Sequence, residues 1–235
     1  MKVIALVLAG GEGRRLLPVT ASIPKSLVKF NGVTLIDYTL RLVDTVVDQT
    51  VVTVYYKGSL IKKYLERRWP AVICREEPFL LQTGGSLRYQ AEFINSWDPA
   101  VLLVLASDHV RSINLGNAIR AHLDSGNILT ILASPASPEH NQLVLKDEIV
   151  VDYLSVGAPV SGDSVSSVGE YIFSWSFLYR KLKEKQEVTF DLSWDLIFHV
   201  IKNEEEKVGV FLLDDWADLG TNERIIAYED KLKKG

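Results

Sequence analysis

Glycines at positions 10, 11 and 13, two adjacent arginines, Arg14 and Arg15, and Lys25 crowd into one early loop directly after an apolar run. Without Cβ atoms, such glycines let backbone N–H groups close on an anion and form a concave nest, whose natural occupant is phosphate. Arg15 and Lys25 add what a plain binding turn does not need, two cations able to neutralise a polyphosphate whose charge grows as pyrophosphate departs. Taken singly, either residue reads as a solvated surface charge. The loop is not a Walker A motif, because G-x-x-x-x-G-K-[ST] is absent. It is also a poor dinucleotide fingerprint, since Leu16 stands where a third glycine is needed for helix packing. Hydride transfer is therefore disfavoured.

Such a loop needs a rigid strand before it and a sheet edge around it. Val3–Ala9 is bare of polar side chains and reads as a strand covered on both faces. Helical spacing follows over 35–46, then a β-rich stretch at 51–56, a helix at 60–69, a short strand at 71–74, a helix at 85–97 and a buried strand, Val101–Ala106. This alternation predicts right-handed crossovers and a mostly parallel sheet that receives ligand at its carboxyl edge. From Asn127 the pattern changes to strand-like runs at 129–133, 142–145, Ile149–Leu154 and 170–173, with a helix only at 175–185. Residues 155–167 read as a long loop, 208–213 as a strand and Asn222–Lys234 as a closing helix.

Composition narrows the partners. The 235 residues fit one large domain or two small ones, and 47% apolar composition is ample for a buried core. A net charge of −4 and a pI near 5.6 give no general pull toward nucleic acid or an anionic membrane, so any basic site must be local. The opening apolar run is too short to span a bilayer, and the glycines and arginines behind it favour a buried strand over a secretory leader. Cys74, the single cysteine, reads as a small core residue in a reducing cytoplasm. Trp194 and Trp216 read as core or pocket wall, His109 as a structural hydrogen-bonding residue, and the charge runs at 181–185 and 204–207 as solvated helix ends.

The stretch Gly11-Glu12-Gly13-Arg14-Arg15-Leu16-Leu17-Pro18-Val19-Thr20, followed by Pro24-Lys25-Ser26-Leu27, resembles the G-x-G-T-R-x-x-P-x-T…P-K-x-L signature of sugar-1-phosphate nucleotidyltransferases. Arg14 replaces the usual threonine. Further along, Leu81-Gln82-Thr83-Gly84-Gly85-Ser86-Leu87 resembles the family's L-G-T-A/G-G-A-L turn, and Ala106-Ser107-Asp108 its G-D at a strand end. Ser167-Val168-Gly169-Glu170-Tyr171-Ile172-Phe173 is similar to N-A-G-I-Y-x-F, and Trp216-Ala217-Asp218-Leu219-Gly220-Thr221 to W-x-D-I-G-T.

The resemblance implies a three-layer α/β/α Rossmann-like fold in one domain, residues 1–235, with a mixed, mostly parallel sheet and a β-rich insertion for the sugar. Residues 1–126 would form the nucleotide half and 127–235 the sugar half, with no β-helix extension. Leu8, Ala9, Gly10, Gly11, Gly13, Arg14, Arg15, Gln82, Thr83, Gly84 and Gly85 are implied to hold the nucleotide, and Ser107, Gly169, Glu170 and Tyr171 the sugar. Asp108 and Asp218 would bind Mg²⁺, a hard cation suited to oxygen ligands. Either aspartate alone reads as a cap or turn residue; their order beside a phosphate loop favours the pair. The implied reaction is in-line attack by a sugar-1-phosphate oxygen on the α-phosphorus of a nucleoside triphosphate, with Arg15, Lys25 and Asp108 as catalytic residues. Neither a nucleophilic side chain nor a general base is required, because the acceptor phosphate is already ionised. NTP and sugar-1-phosphate are the implied partners, with no nucleic acid or membrane, and family habit implies a homodimer.

The family's usual acceptor motif, E-K-P, has no counterpart: residues 152–157 read Asp-Tyr-Leu-Ser-Val-Gly, and Ser167 replaces an asparagine. The acceptor is accordingly left open, with Arg14 a candidate substitute cation. A cytidylyltransferase for a polyol or inositol phosphate and a non-catalytic regulatory paralogue stand as alternatives. Gln82 offers both a donor and an acceptor, so it does not choose among thymine, uracil and guanine.

Overall fold

The structure, a computed structural model, describes residues 1–203 and 206–234. In chain order the elements are β1 (Val3–Ala9), the ribbon β2 (Lys29–Phe30) and β3 (Val33–Thr34), α1 (Leu35–Val43), β4 (Gln49–Val54), α2 (Gly58–Arg68), β5 (Ile73–Glu76), α3 (Gln82–Asn95) and β6 (Val101–Ala106). Then come β7 (His109–Ser112), α4 (Leu115–Ser125), β8 (Leu129–Pro135), β9 (Gln142–Lys146), β10 (Ile149–Leu154), β11 (Ser164–Ser174) and α5 (Trp175–Glu184). A π-helical turn, Ser193–Ile197, runs into α6 (Phe198–Lys202), and β12 (Val208–Leu212), β13 (Asp215–Asp218) and α7 (Asn222–Lys234) complete the described chain.

Nine strands form one sheet in the order β5-β4-β1-β6-β11-β8-β12-β10-β9. Strands β5, β4, β1 and β6 run parallel. At β11 the direction reverses, because this strand pairs antiparallel with both β6 and β8; the sheet is therefore mixed, and β8 with β12 is a second parallel pair. Alternation along β1 explains the layers. Ile4 and Leu6 pack with Leu87, Ile94, Leu178 and Ile201 from α3, α5 and α6 on one face. Val3 and Ala5 meet Leu115 and Ile119 of α4, while Val7 and Ala9 meet Ile36, Leu40, Ile61 and Leu65 of α1 and α2, on the other. Each such leucine or isoleucine, fully buried, contributes roughly 1.5–3 kcal/mol.

Several boundaries differ from the sequence pattern. Strand β5 lies two residues further on than 71–74, and α3 begins at Gln82 rather than 85. The expected loop at 155–167 is cut short because β11 already starts at Ser164, held by pairing with β9 as well as β8. Helix α4 goes unannounced by any long apolar stripe, yet it is capped at both ends: Asn114 accepts from the Asn117 amide at 3.0 Å, and Gly126 takes the left-handed conformation. His122 pins α4 to the sheet, its Nδ1 bonded to Thr130 Oγ1 at 2.9 Å and Nε2 to Ser174 Oγ at 3.2 Å. Burial pulls its pKa down to about 4. Lys181 and Glu184 pair on the solvated end of α5, as does Arg180 with Glu206; residues 204 and 205 lie outside the described residues.

Candidate active site

β1 delivers the chain into the glycine loop at the carboxyl edge of the parallel strands. Gly13 has φ +63°, and a Cβ there would stand 2.9 Å from Lys25 Cβ, so only glycine fits. The Gly13 carbonyl accepts from Thr20 Oγ1 and from the Leu16 amide, each at 2.9 Å, which closes a tight turn at Arg14–Leu16. Leu16, the residue that spoils a dinucleotide fingerprint, is fully buried with Phe30, Leu35, Val110 and Leu219, plugging the loop onto the core.

Lys25 opens a further tight turn, and its neighbour Ser26 is buried with its hydroxyl 3.0 Å from that of Ser107. Strand β6 ends just before Ser107 and Asp108. The short ribbon of β7 with β13 sets His109 opposite Asp218 in register, which carries two aspartates distant in sequence to one place. Oxygen and nitrogen atoms of Asp108, His109 and Asp218 lie within 4.8 Å of one another. The Lys25 ammonium bonds Asp108 Oδ2 and sits 3.8 Å from Asp218 Oδ1, Arg15 Nη2 is 3.9 Å from Asp218 Oδ2, and Arg224 bonds the same oxygen. Gly220 permits this convergence: a Cβ on it would stand 2.6 Å from Asp218 Oδ1, 2.9 Å from Arg15 Nη2 and 3.1 Å from Lys25 Nζ.

The charges of the cluster answer one another. Burial pulls the Lys25 ammonium down to about 8 against the attraction of Asp218, with Arg15 and Arg224 adding repulsion. Burial alone would raise the Asp218 carboxyl, but His109, Lys25, Arg224 and Arg15 outweigh it and hold it below its ordinary value. Asp218 Oδ1 is buried without an aligned hydrogen-bond partner. Two carboxylates with an unsatisfied oxygen suit a hard divalent cation, and the Lys25 ammonium between them stands where such a positive charge belongs.

A cleft of about 560 Å³ opens over these groups. Leu8, Ala9, Gly10, Gly11 and Gly13 line it, with Arg14, Arg15 and Lys25 along the loop. Asp108, His109 and Gly220 line it too, as do Ser107 and Gly169, and Gln82 and Thr83. Asp218 borders a neighbouring hollow with His140, Trp216 and Arg224, so Trp216 is a pocket wall. Arg14 is largely exposed and paired with Glu12.

Four expected site residues lie elsewhere. Gly84 and Gly85 begin α3 with their amides committed to Phe190 O, at 3.0 and 3.3 Å, because the 188–190 segment packs directly against them. Tyr171 is buried in the sheet with its hydroxyl 2.7 Å from Ser193 Oγ. Glu170 is fully buried beneath the cleft: Oε1 accepts from the Ala106 amide at 2.9 Å, lies 3.0 Å from Arg111 Nη2 and 3.2 Å from His109 Nδ1. A register shift in β11 between Ser167 and Tyr171, with Gly169 at φ +74°, turns Glu170 inward toward the end of β6. Burial would raise its carboxyl, yet Arg111, His109 and the Ala106 amide together hold it below the ordinary range. Glu170 thus braces the strand end that carries Asp108, and His109 touches both the brace and the acidic cluster. Cys74 is half-buried, and burial pushes its thiol up to about 11, as an unreactive residue requires.

One cleft residue is invisible in the sequence pattern. Glu77, hidden in the charged run Arg75-Glu76-Glu77, is 3% exposed and lines the cleft. Its only signal is the place of that run, at the end of a short strand on the sheet's carboxyl edge.

The family model described as "Nucleotidyl transferase" matches residues 4–235, and the chain belongs to this family. Among curated relatives, the glucose-1-phosphate adenylyltransferase of Pseudothermotoga lettingae is 30% identical over 245 residues, covering 94% of this chain and 58% of its own length. That of Leifsonia xyli subsp. xyli is 27% identical over 266 residues, covering 94% and 63%. The chain thus spans about three-fifths of the length of these relatives. Crystalline HddC from Yersinia pseudotuberculosis has the same fold, with a TM-score of 0.78 at 22% identity over 99% of this chain and 100% of that one.

Proposed function

We propose that this chain transfers a nucleotidyl group from a nucleoside triphosphate to a sugar-1-phosphate, releasing pyrophosphate, with Mg²⁺ at Asp108 and Asp218. The observation that carries the reading is the meeting of these two carboxylates with Lys25 and Arg15 beside a glycine loop. The relatives' names add that glucose-1-phosphate is an acceptor in the family. Gly10, Gly11 and Gly13 present backbone amides to the phosphates, and Arg15 and Lys25 neutralise the charge that collects on departing pyrophosphate. Bound between the aspartates, Mg²⁺ would supply charge neutralisation and alignment of the reacting phosphates. Ser107 and Gly169 contribute the acceptor side of the cleft, and Glu170 acts by holding the strand end rather than by touching sugar. The acceptor's own ionised phosphate is the nucleophile, so the chain has only to position and neutralise. A negative net charge and a lone free cysteine accord with small-molecule substrates in a reducing cytoplasm.

The test is pyrophosphate release across the common NTPs with glucose-1-phosphate and other sugar phosphates, with and without Mg²⁺. Release that needs an NTP, an acceptor and Mg²⁺ together is expected. Binding without release in every combination would contradict the reading.

A further inference from the structure

Asp218 is reached by cations from two openings. Arg15 and Lys25 come to it from the cleft that holds the glycine loop, whereas Arg224 comes from α7 and lines the neighbouring hollow of about 260 Å³ with His140, Trp216, Tyr228 and Lys231. The far wall of that hollow is fixed in place. Trp216 is held edge-on between the rings of His109 and His140, with centroids 5.3 and 4.9 Å away. Behind His140 lies Gln142, fully buried, whose Nε2 donates to the His140 carbonyl at 2.9 Å and to Ser166 Oγ at 3.1 Å. On the near side, Thr221 Oγ1 accepts from the Arg224 amide at 3.3 Å and sets the first turn of α7.

Arg224 and Lys231, both in this hollow, are not equivalent. Lys231 is paired with Asp215, which also accepts from the Tyr228 hydroxyl at 2.8 Å and lies outside the group of possible metal ligands. Arg224 is paired with Asp218, which belongs to that group. A divalent ion that takes Asp218 therefore leaves Lys231 as it is and frees the Arg224 fork, whose side chain is 34% exposed and open to an anion. Arg14, the cation that sequence offers for the acceptor, is paired with Glu12 on the glycine loop instead. In-line transfer brings two anions to the metal, the entering oxygen opposite the departing one. Arg15 and Lys25 serve the departing pyrophosphate, so the entering phosphate needs a cation of its own.

We propose that Arg224 binds the phosphate of the acceptor, and that a metal ion arriving at Asp218 frees it to do so; the proposal rests on the transfer reading of the site. Before the ion binds, Asp218 occupies the guanidinium and competes with any incoming phosphate. Afterwards the same guanidinium is a planar donor pair matched to two phosphate oxygens. Metal and acceptor thus favour each other's binding through a single side chain. Arg224 lies beyond Thr221, where the sequence motifs end.

Two binding measurements on the full chain test this. In the first, inorganic phosphate is titrated calorimetrically into the chain holding Mg²⁺ and a non-hydrolysable NTP. The parent should bind it, Arg224→Ala should bind it about tenfold more weakly or worse, and Arg224→Lys, which keeps the charge but loses the fork, should fall between. In the second, Mn²⁺ affinity is read by electron paramagnetic resonance with no nucleotide present. Arg224→Ala should hold Mn²⁺ roughly two- to fivefold tighter than the parent, because a competitor for Asp218 is gone. No phosphate binding by the parent, equal phosphate binding by Arg224→Ala, or weaker Mn²⁺ binding by that variant, as a merely structural arginine requires, would each overturn the proposal. Should Arg224→Ala not fold, Arg224→Lys decides on the phosphate titration. Pyrophosphate release whose acceptor KM is unchanged in Arg224→Ala keeps the transfer reading and removes this proposal. Phosphate binding that depends on Arg224, with no release from any pairing of NTP and sugar phosphate, does the reverse.

Discussion

At Lys25 an ammonium is shared between Asp108 and Asp218, and the side chains around it leave little slack. If these groups neutralise a triphosphate and its metal, Asp108→Asn, Asp218→Asn and Arg15→Ala should each lower turnover by roughly a hundredfold or more, as loss of a preorganised charge does elsewhere. Steady-state pyrophosphate release measures this, and near-normal turnover in all three would remove them from the chemistry. Gly13 makes a separate prediction. Alanine there meets both a positive φ and the Lys25 Cβ, so Gly13→Ala should cost more than about 1 kcal/mol in urea unfolding and should displace the lysine. A variant as stable and as active as the parent would show that the turn is not held by its glycine.

At the level of elements, one buried polar cluster braces the strand end that carries Asp108 and another ties α4 to the sheet. Glu170 of β11 and Arg111 of β7 are paired out of water beneath Asp108. Glu170→Gln, which leaves Arg111 charged and uncompensated, is expected to cost on the order of 3–5 kcal/mol, whereas replacing both by apolar residues should cost less than the single change. Denaturant midpoints of the single and double variants decide between this and a purely steric role. His122 of α4, bonded to Thr130 of β8 and Ser174 of β11, stays neutral in the fold with a pKa of about 4, against an ordinary value of 6.5. As pH falls the unfolded chain takes up this proton first, so stability is full above about pH 6.5 and declines toward pH 4, by roughly 3 kcal/mol over that window. Urea unfolding at pH 7 and pH 4.5 should show the loss, and His122→Gln should flatten it; an unchanged slope would place the acid sensitivity elsewhere.

For the whole molecule, what was legible in the sequence follows from what local pattern encodes. β1, β6 and the glycine loop stand out because a strand buried on both faces has no polar residues and a phosphate nest needs glycine. The nearness of Asp108 and Asp218 does not, since it depends on the register of the four-residue strands β7 and β13, too short to show periodicity; motif order supplied it instead. The motif assigns Glu170 to the sugar, but a register shift in β11 between Ser167 and Tyr171 buries it, and Glu77 is hidden because a buried carboxylate looks, in sequence, like any charged turn. Gly84 and Gly85 matched a ligand motif but serve the packing of α3 on the 188–190 segment. The central claim is that the glycine loop and the two aspartates form one metal–triphosphate site. Electron paramagnetic resonance of Mn²⁺, standing in for Mg²⁺, measures this directly in the presence of a non-hydrolysable NTP. The parent chain should hold one tight ion, Asp108→Asn and Asp218→Asn should each weaken it by about tenfold or more, and the double variant should fall short of the sum of their effects. Parental Mn²⁺ affinity in either single variant would contradict the account.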